Sequence, residues 1–382
     1  MNYDDIRPYN DKEISGALQS VAKNRATWLI SKYLWPCKPF WRLSSMMRKA
    51  RTVDGFQLDV VYYVVDAIIR KTTDGLSSDM SNAGHAKFLA ISNHRDIVLD
   101  PAFFQKSLAD AGISTTRICT GNNLLANQLI TDLMRSNKMI IVNRNLKARE
   151  LLESSQCLSS YIRESIKSGD SSVWIAQRGG RSKTGKDLTE TSVLKMLDMS
   201  GDGGFADNFA DLNILPFAIS YEYESCDALK AREILLSRQG PYVKAKGEDT
   251  NSILTGIRQK KGHVHIQTAK PISREELEAL SGLPRQERYN QLAKLIDSRI
   301  ISSYRLFKTN YIGYDLMHGT SEYLGTEYTE KDLKSFIRYS ESKLRPFSKI
   351  SDFTELKQIF YEIYGNPVEM KKTPLVTQFI LC

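Results

Sequence analysis

The chain has 382 residues with 53 Lys+Arg against 44 Asp+Glu, a formal charge of +9, and its 41% hydrophobic and 25% charged content is that of a folded protein, which excludes wholesale disorder. No stretch reaches the roughly 18 uninterrupted apolar residues of a membrane-spanning helix, and the five cysteines, at 37, 119, 157, 226 and 382, form no CxxC pair or short disulfide framework. Asp4, Asp5, Asp11 and Glu13 open the chain where a secretory leader would be basic and apolar, so the expectation is a reduced, intracellular, non-spanning protein.

Ile14 to Leu34 reads as one helix, stopped by Trp35-Pro36-Cys37-Lys38-Pro39. From Ile14 to Val53 there is no acidic residue but eight basic ones: Lys23, Arg25, Lys32, Lys38, Arg42, Arg48, Lys49 and Arg51. Three of the four tryptophans, Trp28, Trp35 and Trp41, lie in the same stretch. Indole rings beside Lys and Arg suit an anionic lipid headgroup layer. Two readings compete: a basic hairpin packed on the rest with its indoles buried, and stacking on single-stranded nucleic acid. No zinc-finger, RNP or homeodomain pattern supports the last, so nucleic acid is not expected as a partner.

Phe56 to Ile69 is an apolar helix or a buried strand; periodicity does not decide. Thr72 to Gly84, rich in Ser, Thr, Asp, Asn and Gly, reads as a linker. Beyond it, apolar runs at Lys87–Ser92, Thr115–Thr120, Lys138–Asn143, Ser172–Gln177, Leu212–Tyr221 and His263–Thr268 predict strands. Between them, Pro101–Ala111, Asn123–Ser136, Lys147–Lys167 and Thr189–Met199 predict helices, followed by Arg274–Leu280, Pro284–Ser303, Glu330–Leu344 and Asp352–Tyr364. The alternation predicts an α/β fold: a mixed, mainly parallel sheet flanked by helices, with N- and C-terminal helical additions. The expected organisation is a basic, aromatic helical region over 1–75, a central domain over 76–305 and a helical extension over 306–382.

The densest chemistry lies in Ser92-Asn93-His94-Arg95-Asp96-Ile97-Val98-Leu99-Asp100-Pro101, directly after a predicted strand. A His followed closely by a carboxylate suits a general base: the carboxylate takes the Nδ1 proton and leaves Nε2 to abstract one. His-Arg-Asp also opens the protein-kinase catalytic loop, but that motif wants Asn where Pro101 stands, and no Gly-rich loop or Asp-Phe-Gly accompanies it. The remaining alternative is that His94 only caps a helix. His263 and His265 alternate along a strand and read as structural, with no metal-ligating cluster nearby. The cysteines have no base partner in the sequence, which argues against a covalent thiol mechanism.

Four blocks together resemble the glycerophospholipid acyltransferase family, the glycerol-3-phosphate and 1-acylglycerol-3-phosphate acyltransferases. Asn93-His94…Asp100 resembles the family's Asn-His-x4-Asp, and Lys138 to Arg144 resembles its apolar strand ending in Arg. Val173 to Ser182, with Gly179-Gly180-Arg181-Ser182, resembles the strand leading into Glu-Gly-Thr-Arg-Ser, and Ile214 to Tyr221, with Pro216, resembles Val-Pro-Val-x-Ile-Ser-Tyr. The resemblance covers about Phe88 to Ile272. It implies an O-acyltransferase in which His94 is the base, Arg144 and Arg181 clamp a phosphate, Gly179 and Gly180 let the backbone approach the substrate, Ser182 belongs to the same substrate loop, and Pro216 shapes the strand beside the pocket.

Two departures stand out. The family spacing places Asp at position 99, which is Leu99 here, so Asp100 is the favoured partner of His94 and Asp96 the second candidate. The third block lacks the family's Glu, whose place falls to Arg178 or Gly179. The expected activity is transfer of a fatty acyl group from acyl-CoA or acyl carrier protein, as co-substrate and with no other cofactor, to the hydroxyl of glycerol-3-phosphate or a lysophospholipid in phospholipid biosynthesis. The alternatives are another lipid acceptor such as an amino-lipid, or a catalytically silent lipid-binding relative. The expected partners are an anionic membrane surface, the acyl donor and a phosphate-bearing lipid acceptor, with the protein peripheral on the cytoplasmic membrane face.

Overall fold

The computed structural model describes residues 2–144, 146–349 and 352–373; Cys382 lies outside the described residues. Among the described residues, seven strands, β1 (Gly75–Asp79), β2 (Leu89–Ser92), β3 (Arg117–Gly121), β4 (Met139–Val142), β5 (Val173–Ala176), β6 (Ile214–Tyr221) and β7 (His263–Thr268), form one sheet in the order β1-β7-β6-β2-β5-β3-β4. Neighbours are parallel throughout, except that β6 and β7 run antiparallel. The sheet is mixed, mainly parallel and flanked by helices, as the alternation of apolar runs predicts.

β2 lies mid-sheet, and all four of its residues are buried. That is why it reads as a continuous apolar run. Leu89 and Ile91 point into a core shared with the helices Ala148–Lys167, Thr191–Asp198 and Arg285–Ser303. Phe88 and Ala90 point to the opposite face, against Phe103 and Phe104 of the helix Leu99–Asp110 and Val65 and Ile68 of the helix Tyr62–Thr72. Burying both faces leaves the carboxyl ends of the parallel strands as the place where an α/β sheet opens a crevice.

Three local expectations change, and one open choice is decided. The stretch read as a linker contains β1, which pairs with β7 at the sheet edge; an edge strand of sequence Gly-Leu-Ser-Ser-Asp carries no apolar run to announce it. The single helix expected from Ile14 is two, Asp11–Lys23 and Arg25–Leu34. Asn24 adopts an extended backbone between them, and its side chain accepts from Ala26 N–H to start the second, the capping chemistry that lets Asn interrupt a helical pattern. Phe56–Ile69 is helical, with a π turn at Gln57–Val61 leading into Tyr62–Thr72. The helices Asp227–Gln239, Glu248–Arg258 and Lys308–His318 lie where no element was expected.

The N-terminal helices bury Ile14, Leu18, Val21, Leu43 and Met47 against Val53, Phe56 and Val60. The C-terminal helices Lys308–His318, Glu330–Leu344 and Phe353–Lys372 share a core with Ala228, Ala231 and Leu235 of the helix Asp227–Gln239. No helix among the described residues is long and apolar enough to cross a membrane.

Candidate active site

β2 ends at Ser92, and the next residue keeps the chain tied to the sheet. The Asn93 amide accepts from Ile219 N–H at 2.9 Å and donates to Ile219 C=O at 2.9 Å. A side chain thus continues the β2–β6 ladder for one more rung while the backbone turns away. Ser182 N–H donates to His94 C=O at 2.7 Å, which joins the first and third motif loops.

His94 Nδ1 lies 2.8 Å from Asp100 Oδ2. The same oxygen accepts from Arg95 N–H at 2.5 Å and Asp96 N–H at 2.8 Å, and Oδ1 accepts from the Tyr221 hydroxyl at 2.6 Å. Burial, and then the Asp100 carboxylate, push the Tyr221 phenol well above its ordinary value, so it remains a donor. Asp100 is completely buried in the first turn of the helix Leu99–Asp110, a position that favours an anion. A carboxylate so fixed takes the Nδ1 proton, leaving Nε2 as the ring nitrogen able to act as base. The His94 ring meets Trp174 edge-on at 5.6 Å, and the indole N–H is held by Ser92 Oγ at 2.9 Å.

Asp96, the second candidate, does not reach His94. Its carboxylate accepts from Val98 N–H at 2.9 Å and Leu99 N–H at 2.8 Å and from the Ser225 hydroxyl. It is a buried cap on the turn into the next helix, pressed against Gly256, where an added Cβ would collide with it. The extra residue relative to the family spacing is absorbed in this turn, so Asp100 faces His94 after all. Arg95 points inward, with Nε 2.8 Å from Asp187 Oδ2 and Nη1 3.1 Å from Glu224 Oε2.

His94 opens onto a cleft with about 640 Å³ of free space, also lined by Ile97, Cys119, Gly121, Leu124, Arg144, Trp174, Arg178, Gly180, Arg181, Lys244 and Asp249. Arg144 leaves the end of β4 and crosses over Gly121, where a Cβ would fall 2.8 Å from its Nε. Among the described residues, Arg181 Nη1 and Arg178 Nε are buried with no hydrogen-bond partner; buried guanidinium N–H groups of this kind are donors available to a ligand. Gly180 sits at φ +82°, the left-handed region that glycine enters without strain. Burial pushes the Cys119 thiol up to about 12, the wrong direction for a nucleophile.

Not every expected residue lies in the cleft. Ser182 is buried, its hydroxyl directed to Lys186 C=O at 3.3 Å, and it acts through its backbone on His94. Pro216 sits inside the sheet opposite Ile91 and accepts from Ala269 N–H at 2.8 Å. The reciprocal donor, which proline lacks, would belong to the last rung of the β6–β7 ladder, so its loss is tolerated. Gly179 is exposed, and its N–H donates to Glu190 Oε2 at 3.1 Å. Glu190 also faces Arg178 at 3.4 Å, so a carboxylate does reach the third-block loop, from beyond the motif. Sequence reasoning missed Glu190, Tyr221, Lys244 and Asp249 as site residues. Of these, only Tyr221 lay within a recognised block.

Residues 77–220 match the family model described as Acyltransferase, a span that holds His94, Asp100, Arg144, Gly179, Gly180, Arg181, Ser182 and Pro216. No curated protein matches the chain. Among solved structures, the 1-acyl-sn-glycerophosphate (LPA) acyltransferase PlsC of Thermotoga maritima aligns at 15% identity over 75% of this chain and 93% of that one, with a TM-score of 0.37; a likeness that loose adds no weight. The likeness to that family rests on the matched span and on the His94–Asp100 pair within it. Residues 77–220, which hold that pair and the cleft arginines, are what makes the chain similar to the acyltransferase family.

Proposed function

We propose that the protein transfers a fatty acyl group from a thioester, acyl-CoA or acyl carrier protein, to the hydroxyl of glycerol-3-phosphate or a lysophospholipid. The observation that carries this reading is the His94–Asp100 pair facing a cleft with two arginines, Arg144 and Arg181, that have no carboxylate at ion-pair distance among the described residues. His94 Nε2 removes the acceptor's hydroxyl proton as the oxygen attacks the thioester carbon. The C–S bond then breaks, and the proton passes from His94 to the leaving thiolate. Asp100 holds the imidazolium formed in between. Arg144 and Arg181 bind the acceptor's phosphate in forked geometry.

The acceptor is proposed to arrive from an anionic membrane surface, on the cytoplasmic side. Support comes from the helix Arg25–Leu34 and the turn after it, which leave Leu29 61% and Trp41 54% exposed beside Trp28, Ile30 and Phe40. Seven of the segment's cations, Lys23, Arg25, Lys32, Lys38, Arg48, Lys49 and Arg51, are exposed around them. The helix Glu248–Arg258 links this surface to the cleft: Asp249 lines the cleft, and Arg258 lies over the Tyr33 ring at 5.9 Å. Nine helical steps separate those two residues, about 14 Å.

The test is a transfer assay of the purified protein, with acyl-CoA and acyl-carrier donors against glycerol-3-phosphate, lysophospholipids and amino-lipids. Turnover with a phosphate-bearing acceptor is expected. Turnover confined to amino-lipids would overturn the acceptor. Lipid binding without turnover on any acceptor would make the chain a silent lipid-binding relative.

A further inference from the structure

We propose that Lys244 is a third cationic ligand for the acceptor's phosphate and that Asp249 is a built-in competing anion that sets how tightly the phosphate is held. This rests on the phosphate-acceptor reading above. Both residues lie beyond the matched span 77–220, in the approach to and first turn of the helix Glu248–Arg258, yet both line the cleft with His94, Arg144 and Arg181.

Lys244 Nζ is 2.6 Å from Asp249 Oδ1, and Asp249 Oδ2 lies 3.5 Å from Asn123 Nδ2 on the turn after β3. Burial alone would raise the Asp249 carboxyl; the Lys244 ammonium, Asn123 and the Arg181 charge outweigh it and hold it below its ordinary value. Asp249 is therefore an anion placed among the donors that a phosphate needs. It is the second residue of an eleven-residue helix, where the aligned backbone dipoles favour negative charge, and the same field favours a phosphate group.

The Lys244–Asp249 pair is partly exposed, with 45% of the lysine and 30% of the aspartate side chain open to solvent. Such pairs are weak and readily exchanged. A phosphate dianion entering between Arg144 and Arg181 offers Lys244 more charge and more acceptor oxygens than one carboxylate does. On binding, Lys244 turns from Asp249 to the phosphate. The cost of releasing Asp249 lowers acceptor affinity and leaves the thioester donor untouched.

Inorganic phosphate, tested as a competitive inhibitor against the acceptor in the full-length protein, provides the measurement. Asp249→Asn is expected to lower the phosphate Ki and the acceptor KM about threefold, the scale of a partly exposed pair, with the donor KM unchanged. Lys244→Ala is expected to raise both by about tenfold. In the Lys244→Ala background, Asp249→Asn is expected to have little further effect, because the competition it relieves is gone. A higher acceptor KM in Asp249→Asn, or an unmoved phosphate Ki while Arg181→Ala weakens phosphate, would overturn the proposal. If phosphate never competes and Arg181→Ala leaves the acceptor KM unmoved, the phosphate-acceptor reading itself fails and takes this inference with it.

Discussion

His94 Nδ1 sits 2.8 Å from Asp100 Oδ2, on a carboxylate whose other contacts come from two backbone N–H groups and the Tyr221 hydroxyl. Nothing about Asp100 is left free to rotate, so the imidazole orientation is inherited from the helix start. His94→Ala is expected to abolish acyl transfer while leaving the melting temperature within a few degrees of wild type. Asp100→Asn is expected to cost orders of magnitude in kcat, as loss of an orienting carboxylate does in a triad. Asp96→Asn acts on the turn and is expected to lower stability more than the kcat of the remaining folded enzyme. Steady-state rates and melts on the three variants separate these roles; an Asp100→Asn enzyme with wild-type kcat would remove the pair from the mechanism.

Arg144 and Arg181 reach the same cleft from different strands, one after β4 and one in the loop after β5. Replacing either by Ala is expected to raise the acceptor KM by one to two decades, since each charge-assisted contact is worth roughly 1.5–3 kcal/mol. The donor KM is expected to hold. A rise in donor KM alone would place the arginines on the thioester's carrier.

Glu190 brings a carboxylate to the third-block loop, accepting from Gly179 N–H and facing Arg178. Glu190→Ala frees this loop and is expected to lower kcat by about tenfold, the scale of one positioning hydrogen bond to a charged group. Glu190→Gln keeps an acceptor for Gly179 N–H and is expected to recover most of the loss. Equal rates in all three proteins would show that the loop holds its shape without this side chain.

The central strands and the His94–Asp100 pair were legible because each carries a local signal: continuous apolar runs buried on both faces, and a histidine at a strand end with a carboxylate six residues on. β1 was illegible because an edge strand needs only backbone partners, which β7 supplies from residues 263 to 267. Asn24 was hidden inside a helical pattern because capping depends on its backbone conformation, not on its neighbours' hydrophobicity. Glu190, Lys244 and Asp249 were illegible for a third reason: they enter the site through tertiary packing, and no motif spacing marks them.

Asp297 gives a pH dependence unrelated to catalysis. Burial pushes its carboxyl up to about 7, against hydrogen bonds from Thr189 N–H and hydroxyl, both to Oδ1. Between its ordinary value of 3.8 and about 7, the native state holds a proton that the unfolded chain has lost. Stability from this group is full below about pH 4 and is lost as pH rises through 7. Asp297→Asn keeps an oxygen for Thr189 and removes the charge. It is expected to stabilise the protein by about 1–3 kcal/mol at pH 8, with the gain vanishing near pH 4. Melts at pH 4, 6 and 8 check this; a gain independent of pH would mean that Asp297 does not titrate there.

The basic, aromatic N-terminal segment divides by face. Its inner side, Ile14, Leu18, Val21, Leu43 and Met47, is part of a core with Phe56 and Val60, so deleting it would strip the fold and test nothing about lipid. Its outer side carries Trp28 and Trp41 and seven exposed cations, which point substitutions can remove without touching that core. Each Lys or Arg near an anionic surface contributes about 1 kcal/mol, so half of the seven suffices for reversible attachment. Wild type is expected to sediment with anionic vesicles at low salt and to be released at high salt. Lys32→Glu with Lys38→Glu is expected to weaken sedimentation by at least about tenfold, and Trp28→Ala with Trp41→Ala to weaken it at both salt concentrations. All these variants are expected to retain turnover on soluble acceptors, because the altered side chains lie outside the cleft. Wild type that ignores vesicles of either charge would leave the segment a packing element with an ornamental basic face.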